Sequence, residues 1–573
     1  MPQADESILQ DETFSCSTGD RQRMSLFSDG HTIKKLFFRI KKNETIRRVG
    51  PLSLSKERDG LMTEDDKQPL QPDLIAQLDE VRQALGDSSD LVIRQLKAGQ
   101  DGKTDVAFIY LDGMVNPTIV YYLIQSFLVR SDRVDLNMTT NQTSDAGAWI
   151  QQLGIAAGDV QPLKRRDDLL HAVLCGKTVL VIDGHDEAHA VCTNGWEHRT
   201  VSEPTSQTVI KGPQEAFTET IRVNTALVRK RIKHPDLRIE SKELGLLTKT
   251  SVSVIYIQGI VDEGVLAELH SRLESIKIDG VLESNYVEEF IQDSTFGFFP
   301  TVNNTERPDV VAAALLEGRV AIIIDGSPHV LIVPSLFTEF MQSAEDYYQR
   351  YDFGFSRMLR FVSFVITLLT PSIYIALTTF HQEMIPTQML ISLAAQREGV
   401  PFPAFVEAVM MEITFRLLYE AGIRMPRAVG TAISIVGALV LGQAAVEADL
   451  VSPVMVIIVS ITAITSMIFP NPEVGISIRL LRFVFMGLAA SFGFYGIFIG
   501  SVILVMHMCH LESFGKPYMS PLAPFRLPDQ KDTLVRAPWW MMYTRPSLLH
   551  TNVYREPPDE STEKRGGSDS SSS

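Results

Sequence analysis

Hydrophobic and polar positions divide the chain into three parts of different character. Residues 1–74 are rich in Ser, Asp, Gln, Lys and Gly without a helical or strand period, which predicts a disordered tail. Short apolar strands then alternate with amphipathic helices up to about residue 345, and long uncharged apolar runs follow from residue 346. The pattern predicts a soluble α/β half followed by an α-helical, polytopic membrane domain.

The soluble half contains a duplicated sequence unit. The stretch RRDDLLHAVLCGKTVLVIDG at 165–184 matches RPDVVAAALLEGRVAIIIDG at 307–326, and VAFIYLDG at 106–113 matches VSVIYIQG at 252–259. Matches at a nearly constant offset are typical of tandem repeats, so we expect two α/β subdomains with a linker helix between them. The predicted bounds are 75–210 for the first subdomain, 211–248 for the linker helix and 249–345 for the second subdomain.

Each copy of the unit closes on an Asp-Gly pair, Asp183-Gly184 in the first and Asp325-Gly326 in the second. An Asp-Gly pair between two β-rich runs is typical of a tight hairpin turn, because both residues tolerate the left-handed backbone region. We therefore expect these four residues to have a structural role as equivalent turns.

Four uncharged runs predict membrane-spanning helices, since an α-helix needs ~20 apolar residues to cross the hydrocarbon core. They lie near 361–380, 428–446, 450–470 and 483–506, within a predicted membrane domain over 346–512 that a C-terminal tail over 513–573 follows. Between the first two runs, the prolines at 401 and 403 predict that the segment 384–424 is broken or amphipathic.

That segment carries a candidate charged face made of Glu407, Glu412, Arg416 and Glu420. On a helix the last three lie within one arc at a spacing of four, so they can neutralise one another, whereas Glu407 points away. A charge at membrane depth costs ~2.5–3.5 kcal/mol, so such residues face a bundle interior, a partner or water. Two interpretations stay open: a gate inside the membrane, and an amphipathic helix with its charges at headgroup level.

Stripes of small residues mark two of the predicted spans. In membranes such stripes allow helices to pack closely, although glycine is also simply common in membrane helices. The stripe residues are Gly430, Ser434, Ala438 and Gly442 in the second run and Gly496 and Gly500 in the last.

Charge and composition exclude several classes of function. The formal net charge is −16, with 53 Lys and Arg against 69 Asp and Glu, which argues against a nucleic-acid partner. No nucleophile–base arrangement or metal-ligand spacing stands out, so we expect no enzymatic activity, metal or cofactor. The arginines before the spans, with Glu447 and Asp449 in the turn between the second and third, predict a cytoplasmic N-terminal half and an external turn.

Several long motifs resemble the A subunit of GerA-type spore germination receptors from about residue 100 to 545. They include GPQEAFTETIRVNTALVRKRI from 212, TERPDVVAAALLEGRVAIIIDGSPHVLIVP from 305, FHQEMIPTQMLISLAAQREGVPFPAFVEAVMMEITFRLLYEAGIRMP from 380 and LESFGKPYMSPLAP from 511. The tail before residue 74 and the Ser/Gly-rich end depart from the family pattern.

The resemblance implies a Bacillus- or Clostridium-type protein of the inner spore membrane. It implies a homo-oligomeric, ion-conducting subunit that acts with B and C subunits, responds to nutrient germinants and triggers ion release. Two alternatives stay open: a paralogue that assists the passage of dipicolinic acid or ions, and a membrane-anchored module that binds a small ligand between its subdomains.

Overall fold

A computed structural model of the protein describes most of the chain after residue 68. The described residues are 69–98, 104–131, 160–195, 204, 207, 209, 211–294, 297–348, 353–424, 440–534, 536–537, 542, 544–548 and 555. The predicted tail up to residue 68 lies outside them, as do most of the predicted span 428–446 and Gly430, Ser434 and Ala438.

Subdomain 1 is a five-stranded antiparallel sheet with strand order β1-β2-β4-β5-β3. Its elements are helix α1 (Leu74–Leu85), β1 (Leu91–Ala98), β2 (Thr104–Leu111), α2 (Pro117–Ser131), β3 (Val160–Leu163), α3 (Arg166–Leu174), β4 (Thr178–Ile182) and β5 (Ala188–Val191). Helices cover both faces of the sheet: Ala107 and Ile109 of β2 pack with α1 and α3, while Phe108 packs with Phe127 of α2. This alternation is the two-residue period of a strand that is buried on both sides.

Subdomain 2 repeats this arrangement with strand order β6-β7-β9-β10-β8. Its elements are α4 (Ile221–Arg231), β6 (Leu237–Leu244), β7 (Thr250–Ile257), α5 (Glu263–Ser275), α6 (Ser284–Ile291), β8 (Asn303–Thr305), α7 (Pro308–Leu316), β9 (Val320–Ile324) and β10 (Val330–Val333). Ile109 pairs with Ile93, and Ile255 pairs with Ile239 at the equivalent position of the other sheet. The sequence repeat therefore corresponds to a structural repeat.

The two Asp-Gly pairs form equivalent turns with equivalent contacts. Gly184 has φ +81° and Gly326 has φ +89°, in the left-handed region that favours glycine. The Asp183 carboxylate accepts a hydrogen bond from the Leu74 amide of α1 at 3.2 Å, and Asp325 accepts one from the Ile221 amide of α4 at 3.0 Å. Each turn thus holds the start of the first helix of its own subdomain.

These contacts correct the predicted linker helix over 211–248. The helix covers only Ile221–Arg231, is the equivalent of α1, and is followed by the edge strand β6. Subdomain 2 therefore begins with α4 rather than at residue 249. The sequence LRIESKEL of β6 resembles a polar linker because no other described strand pairs with one edge of β6 and its charged side chains reach solvent.

Subdomains 1 and 2 are joined by a buried ion pair. The Arg229 guanidinium of α4 donates to both carboxylate oxygens of Asp90 at 2.8 and 3.1 Å and to the Ser88 hydroxyl at 2.8 Å. The Ser89 amide also donates to the Ile239 carbonyl at 2.9 Å. The start of β1 is therefore bound to the first helix and first strand of subdomain 2.

Short helices α8 (Phe337–Phe340) and α9 (Ala344–Tyr348) connect subdomain 2 to a helical region. That region contains α10 (Phe353–Thr379), α11 (Thr387–Arg397), α12 (Ala404–Arg424), a helix at 440–447, α13 (Pro453–Ser466) and α14 (Pro472–His510). By length and composition, Gly354–Thr379 and Pro472–His510 are apolar enough to cross a membrane, whereas α13, in the predicted span 450–470, has only 14 residues.

The last apolar run is not one straight helix. Gly493 has φ +60° and ψ −140°, which breaks α14 into two halves. Gly500 lies against Leu488 and Phe485, although residues 488 and 500 would be about 18 Å apart in a straight helix. The prediction of a single span over 483–506 is therefore wrong, and α14 is a helical hairpin.

Contacts define the two ends of the helical region. At one end, Asn471 before α14 bonds Asn303 of β8 at 3.0 Å, and Arg360 of α10 donates to the Met341 carbonyl at 3.1 Å. We call this the subdomain end. At the other end, Gly493 packs on His381, which follows α10. We call this the distal end.

After the hairpin the chain returns to subdomain 2. The C-terminal segment (511–534) reaches it through the Ser513 hydroxyl, which donates to the Thr301 carbonyl at 2.7 Å, and through Lys516, whose ammonium lies 2.6 Å from Asp262. The Tyr518 carbonyl accepts from the Phe337 amide at 2.9 Å. Both ends of the hairpin therefore lie at the subdomain end of the helical region.

Candidate functional site of buried charge

A buried ion pair between Glu412 of α12 and Arg482 of α14 lies inside the helical region. Glu412 is 5% exposed and Arg482 is 2% exposed, and the Thr462 hydroxyl of α13 lies 3.5 Å from the carboxylate. Three helices thus converge on one carboxylate among apolar side chains. Removing one partner of such a pair leaves an uncompensated buried charge, so the two residues hold these helices together.

Glu407, one helical turn and a half earlier on α12, is completely buried and joins different segments. Its carboxylate contacts the Arg397 guanidinium of α11 at 3.1 Å and accepts from the Ser452 amide at 3.1 Å and hydroxyl at 2.9 Å. Ser452 is the N-cap of α13, where a negative charge is favourable. Glu407 therefore binds three segments at the distal end.

The remaining charges of α12 are exposed. Arg416 pairs with Glu420 at 3.2 Å, and Glu420 also pairs with Arg424 at 2.8 Å, with exposed fractions of 46%, 40% and 78%. Tyr419 packs between the Arg416 and Arg479 guanidinium groups, 5.5 and 5.8 Å from its ring centre. This group lies nearer the subdomain end than Glu412 does.

The structure therefore differs from the predicted charged face in its pairing. Arg416 and Glu420, which are four residues apart, form an ion pair as expected, but Glu412 pairs with Arg482 rather than with Arg416. Sequence reasoning missed Arg397 and Arg482 as partners. The sequence did contain a signal for a charged partner on α14. Arg479 and Arg482 are three residues apart in an apolar run, so they lie on one face of the helix, the face toward the neighbouring helices.

The predicted packing glycines that the structure describes lie against apolar residues. A Cβ atom at Gly442 would meet Val456 of α13 at 3.7 Å, and one at Gly500 would meet Leu488 at 2.8 Å. Gly496 lies against the Leu488 backbone. Gly496 and Gly500 therefore let the second half of α14 approach the first half of the same hairpin.

A second group of charges surrounds a cavity of about 340 Å³ where subdomain 2, α10 and the C-terminal segment meet. Asp346 contacts Arg357 and Arg360, and Arg357 also contacts Asp532 at 2.9 Å. Burial raises the pKa of the Glu339 carboxyl to about 7, although the Arg319 guanidinium 2.6 Å away opposes this. This network fixes the start of α10 on subdomain 2.

Comparisons with known proteins agree along most of the chain. A sequence model of the Bacillus/Clostridium GerA spore germination protein family matches residues 79–548. Spore germination protein KA of Bacillus subtilis (strain 168) is 47% identical over 481 residues, covering 84% of this chain and 87% of that protein. The uncharacterized membrane protein YfkQ of the same organism is 41% identical over 503 residues, covering 87% of this chain and 95% of that protein.

One solved structure is also similar in sequence. It is the crystal structure of the N-terminal domain of the A subunit of the Bacillus megaterium spore germinant receptor GerK3, at 39% identity. The match covers 47% of this chain and 98% of that chain, with a TM-score of 0.38.

Proposed function

Since the chain belongs to the Bacillus/Clostridium GerA spore germination protein family, we propose that it is the A-type membrane subunit of a nutrient germinant receptor. It works with B and C subunits in the inner spore membrane, responds to germinants and triggers ion release. Its two α/β subdomains face the cytoplasm, and several copies of the helical region together form the ion-conducting part.

The lengths of the helices support a multi-pass arrangement. At 1.5 Å per residue, α12 with 21 residues extends about 31 Å, and the halves of α14 before and after Gly493 extend about 31 Å and about 26 Å. These lengths match a hydrocarbon core of about 30 Å. The two halves of the hairpin cross the membrane in opposite directions, which returns the C-terminal segment to the side of subdomain 2.

Charge at the two ends supports the orientation. Arg357, Arg360, Arg424 and Arg479 lie toward the subdomain end. At the distal end, Glu447 is the last residue of the helix at 440–447 and Asp449 lies in the turn that follows, where it faces Gly399. Basic residues favour the cytoplasmic side of a membrane protein. The subdomain end is therefore the cytoplasmic one.

Apolar side chains on the outer surface support both lipid contact and assembly. Exposed large apolar residues include Phe355, Val362 and Val365 of α10 and Phe492, Phe498 and Ile503 of α14. Exposed apolar surface of this extent is typical of a protein in lipid or at an interface between copies.

The observation that carries the proposed role in ion passage is the depth of the Glu412–Arg482 pair. Arg482 is ten residues into α14, so the pair lies about 15 Å from the subdomain end and near the middle of the bilayer. An ionisable pair at this depth is costly and is typical of an ion route or its gate. Arg416 and Glu420 are nearer the headgroup level.

Potassium release from spores tests this assignment. We expect Glu412→Gln and Arg482→Ala to change the response to germinant, through leak or loss of response, because breaking a buried pair costs about 3–5 kcal/mol. The matched control is Arg416→Ala on the same helix, which removes an exposed pair worth about 0.2–0.5 kcal/mol and should release potassium normally.

Receptor levels must be matched, and the double variant Glu412→Arg with Arg482→Glu separates charge pairing from folding. Recovery of the response in this double variant supports the pair. Wild-type kinetics in both single variants at matched levels would contradict a gating role.

A further inference from the structure

Two carboxyl groups meet where subdomain 2 joins the hairpin. Glu288 belongs to α6, and Glu473 belongs to the first turn of α14. The side-chain amide of Asn304 on β8 lies between them: it donates to Glu473 and is close enough to Glu288 to lower the pKa of that carboxyl. The joint therefore brings together two acids from separate parts of the molecule.

Both acids have an oxygen that is sealed from solvent. Glu288 Oε2 and Glu473 Oε2 are buried and have no hydrogen-bond partner among the residues that the structure describes. A buried oxygen without a donor is costly when the carboxylate is ionised, and less so when a proton is shared with a neighbouring acid.

The charged surroundings do not offset this cost. The charged groups that act on Glu288 are Glu473 and Glu283, both acids, and Tyr518 of the C-terminal segment also faces Glu473. On α5, which packs against α6, Arg272 is engaged by Glu268 and Asp293, and His270 lies 3.3 Å from Glu240. Two neighbouring carboxylates without a cation among the described residues do not both ionise readily.

We propose that Glu288 and Glu473 hold one proton between them at the joint of subdomain 2 and the hairpin, and that losing this proton loosens the joint. When the site is protonated, the Asn304 amide and the shared proton hold α6 and the start of α14 together. Two negative charges repel each other when it is not. The inference does not depend on ion conduction, because it concerns only how the two parts are attached.

The pH range follows from the pKa of Glu288. Burial, assisted by the Glu473 charge, raises that pKa from an ordinary 4.5 to about 8. A carboxyl with a raised pKa stabilises the folded joint fully below its ordinary pKa, and this contribution falls as the pH rises through about 8. The joint should therefore weaken progressively between about pH 4.5 and about pH 8 and change little at higher pH.

Hydrogen exchange of the full chain in lipid nanodiscs tests whether the shared proton holds the joint together. After correction for intrinsic exchange, we expect the amides of 284–291 and 472–480 to exchange about a hundredfold faster at about pH 9 than at about pH 6, since a pKa of about 8 lies about two units above the lower pH and each unit corresponds to a factor of ten. In Glu288→Gln, which cannot ionise, both segments should stay protected at the higher pH.

Glu289→Gln is the matched control, because Glu289 is exposed on the same helix and should leave the pH response of the wild type unchanged. Glu473→Gln provides a second route if Glu288→Gln folds poorly, and it should also remove the pH response. Equal protection of the wild type at both pH values, or an unchanged response in a folded Glu288→Gln or Glu473→Gln protein, would overturn the proposal.

Discussion

Subdomains 1 and 2 carry the same Arg-x-Asp sequence at the start of equivalent helices but use it differently. In subdomain 2, Arg307 is fully buried and donates to Asp309 and the Pro213 carbonyl, both at 2.8 Å, and to the Gln207 carbonyl at 3.2 Å. In subdomain 1, the matching Arg165 is exposed and Asp167 is half-buried.

The difference arises from what covers each copy. The carbonyls of Gln207 and Pro213 contact the Arg307 guanidinium, and α7, the helix that follows Arg307, lines the cavity that α10 also lines. The equivalent helix α3 of subdomain 1 has no such role among the described residues. The two copies thus share one fold, while Gln207 and Pro213 bury this arginine in subdomain 2 only.

The largest expected effect is a difference in stability between variants of Arg307 and of Arg165. Arg307→Ala removes the buried guanidinium that Asp309 and two backbone carbonyls contact, so we expect a loss of about 3–5 kcal/mol. Arg165→Ala changes an exposed side chain and should alter stability by less than about 0.5 kcal/mol. Thermal unfolding of the purified full chain in detergent measures both, and equal shifts would contradict the comparison.

The turn glycines should behave alike in the two copies. Gly184→Ala and Gly326→Ala each force a left-handed backbone on an L-residue, at about 1–2 kcal/mol. Among the residues that the structure describes, a Cβ atom would meet nothing within 4 Å at Gly184 and only the Leu282 carbonyl at 4.0 Å at Gly326. The costs should therefore agree within error in denaturant titrations, and a marked difference would show that the turns are not equivalent.

The smallest expected effect concerns the two turn aspartates. In α1 the N-cap Asp73 already accepts from the Ile75 amide, whereas the N-cap Thr220 of α4 makes no side-chain capping bond. Asp325→Ala should therefore cost about 1 kcal/mol, and Asp183→Ala only a fraction of this. The same unfolding measurement, with the double variant Asp73→Ala and Asp183→Ala as a check on redundancy, tests the ranking.

Local features of the fold were predictable because a few neighbouring residues determine them. The Asp-Gly turns could be predicted from two residues each, and the structural repeat could be predicted from the matching sequence segments. The edge strands β1 and β6 were missed, since charged positions in an edge strand resemble those of a linker. The break at Gly493 was missed because one glycine among apolar neighbours has the same composition whether the helix continues or reverses.

Partners distant in sequence account for the rest of the candidate site. Glu412 and Arg416 are four apart and could pair, but Arg482, 70 residues away, occupies the buried position. Only the packing of three helices decides between these partners. The same holds for Glu407, whose partner Ser452 is 45 residues away and begins another helix.

The return of the C-terminal segment to subdomain 2 sets an order of events during synthesis. The Ser335 amide donates to the Ser513 hydroxyl, which the ribosome adds 178 residues later. At ~5–20 residues per second, roughly 9–36 s separate the two halves of that bond. Subdomain 2 thus leaves the ribosome without this contact, which forms only after the α14 hairpin has been synthesised. A chain that stops before residue 511 lacks the contact.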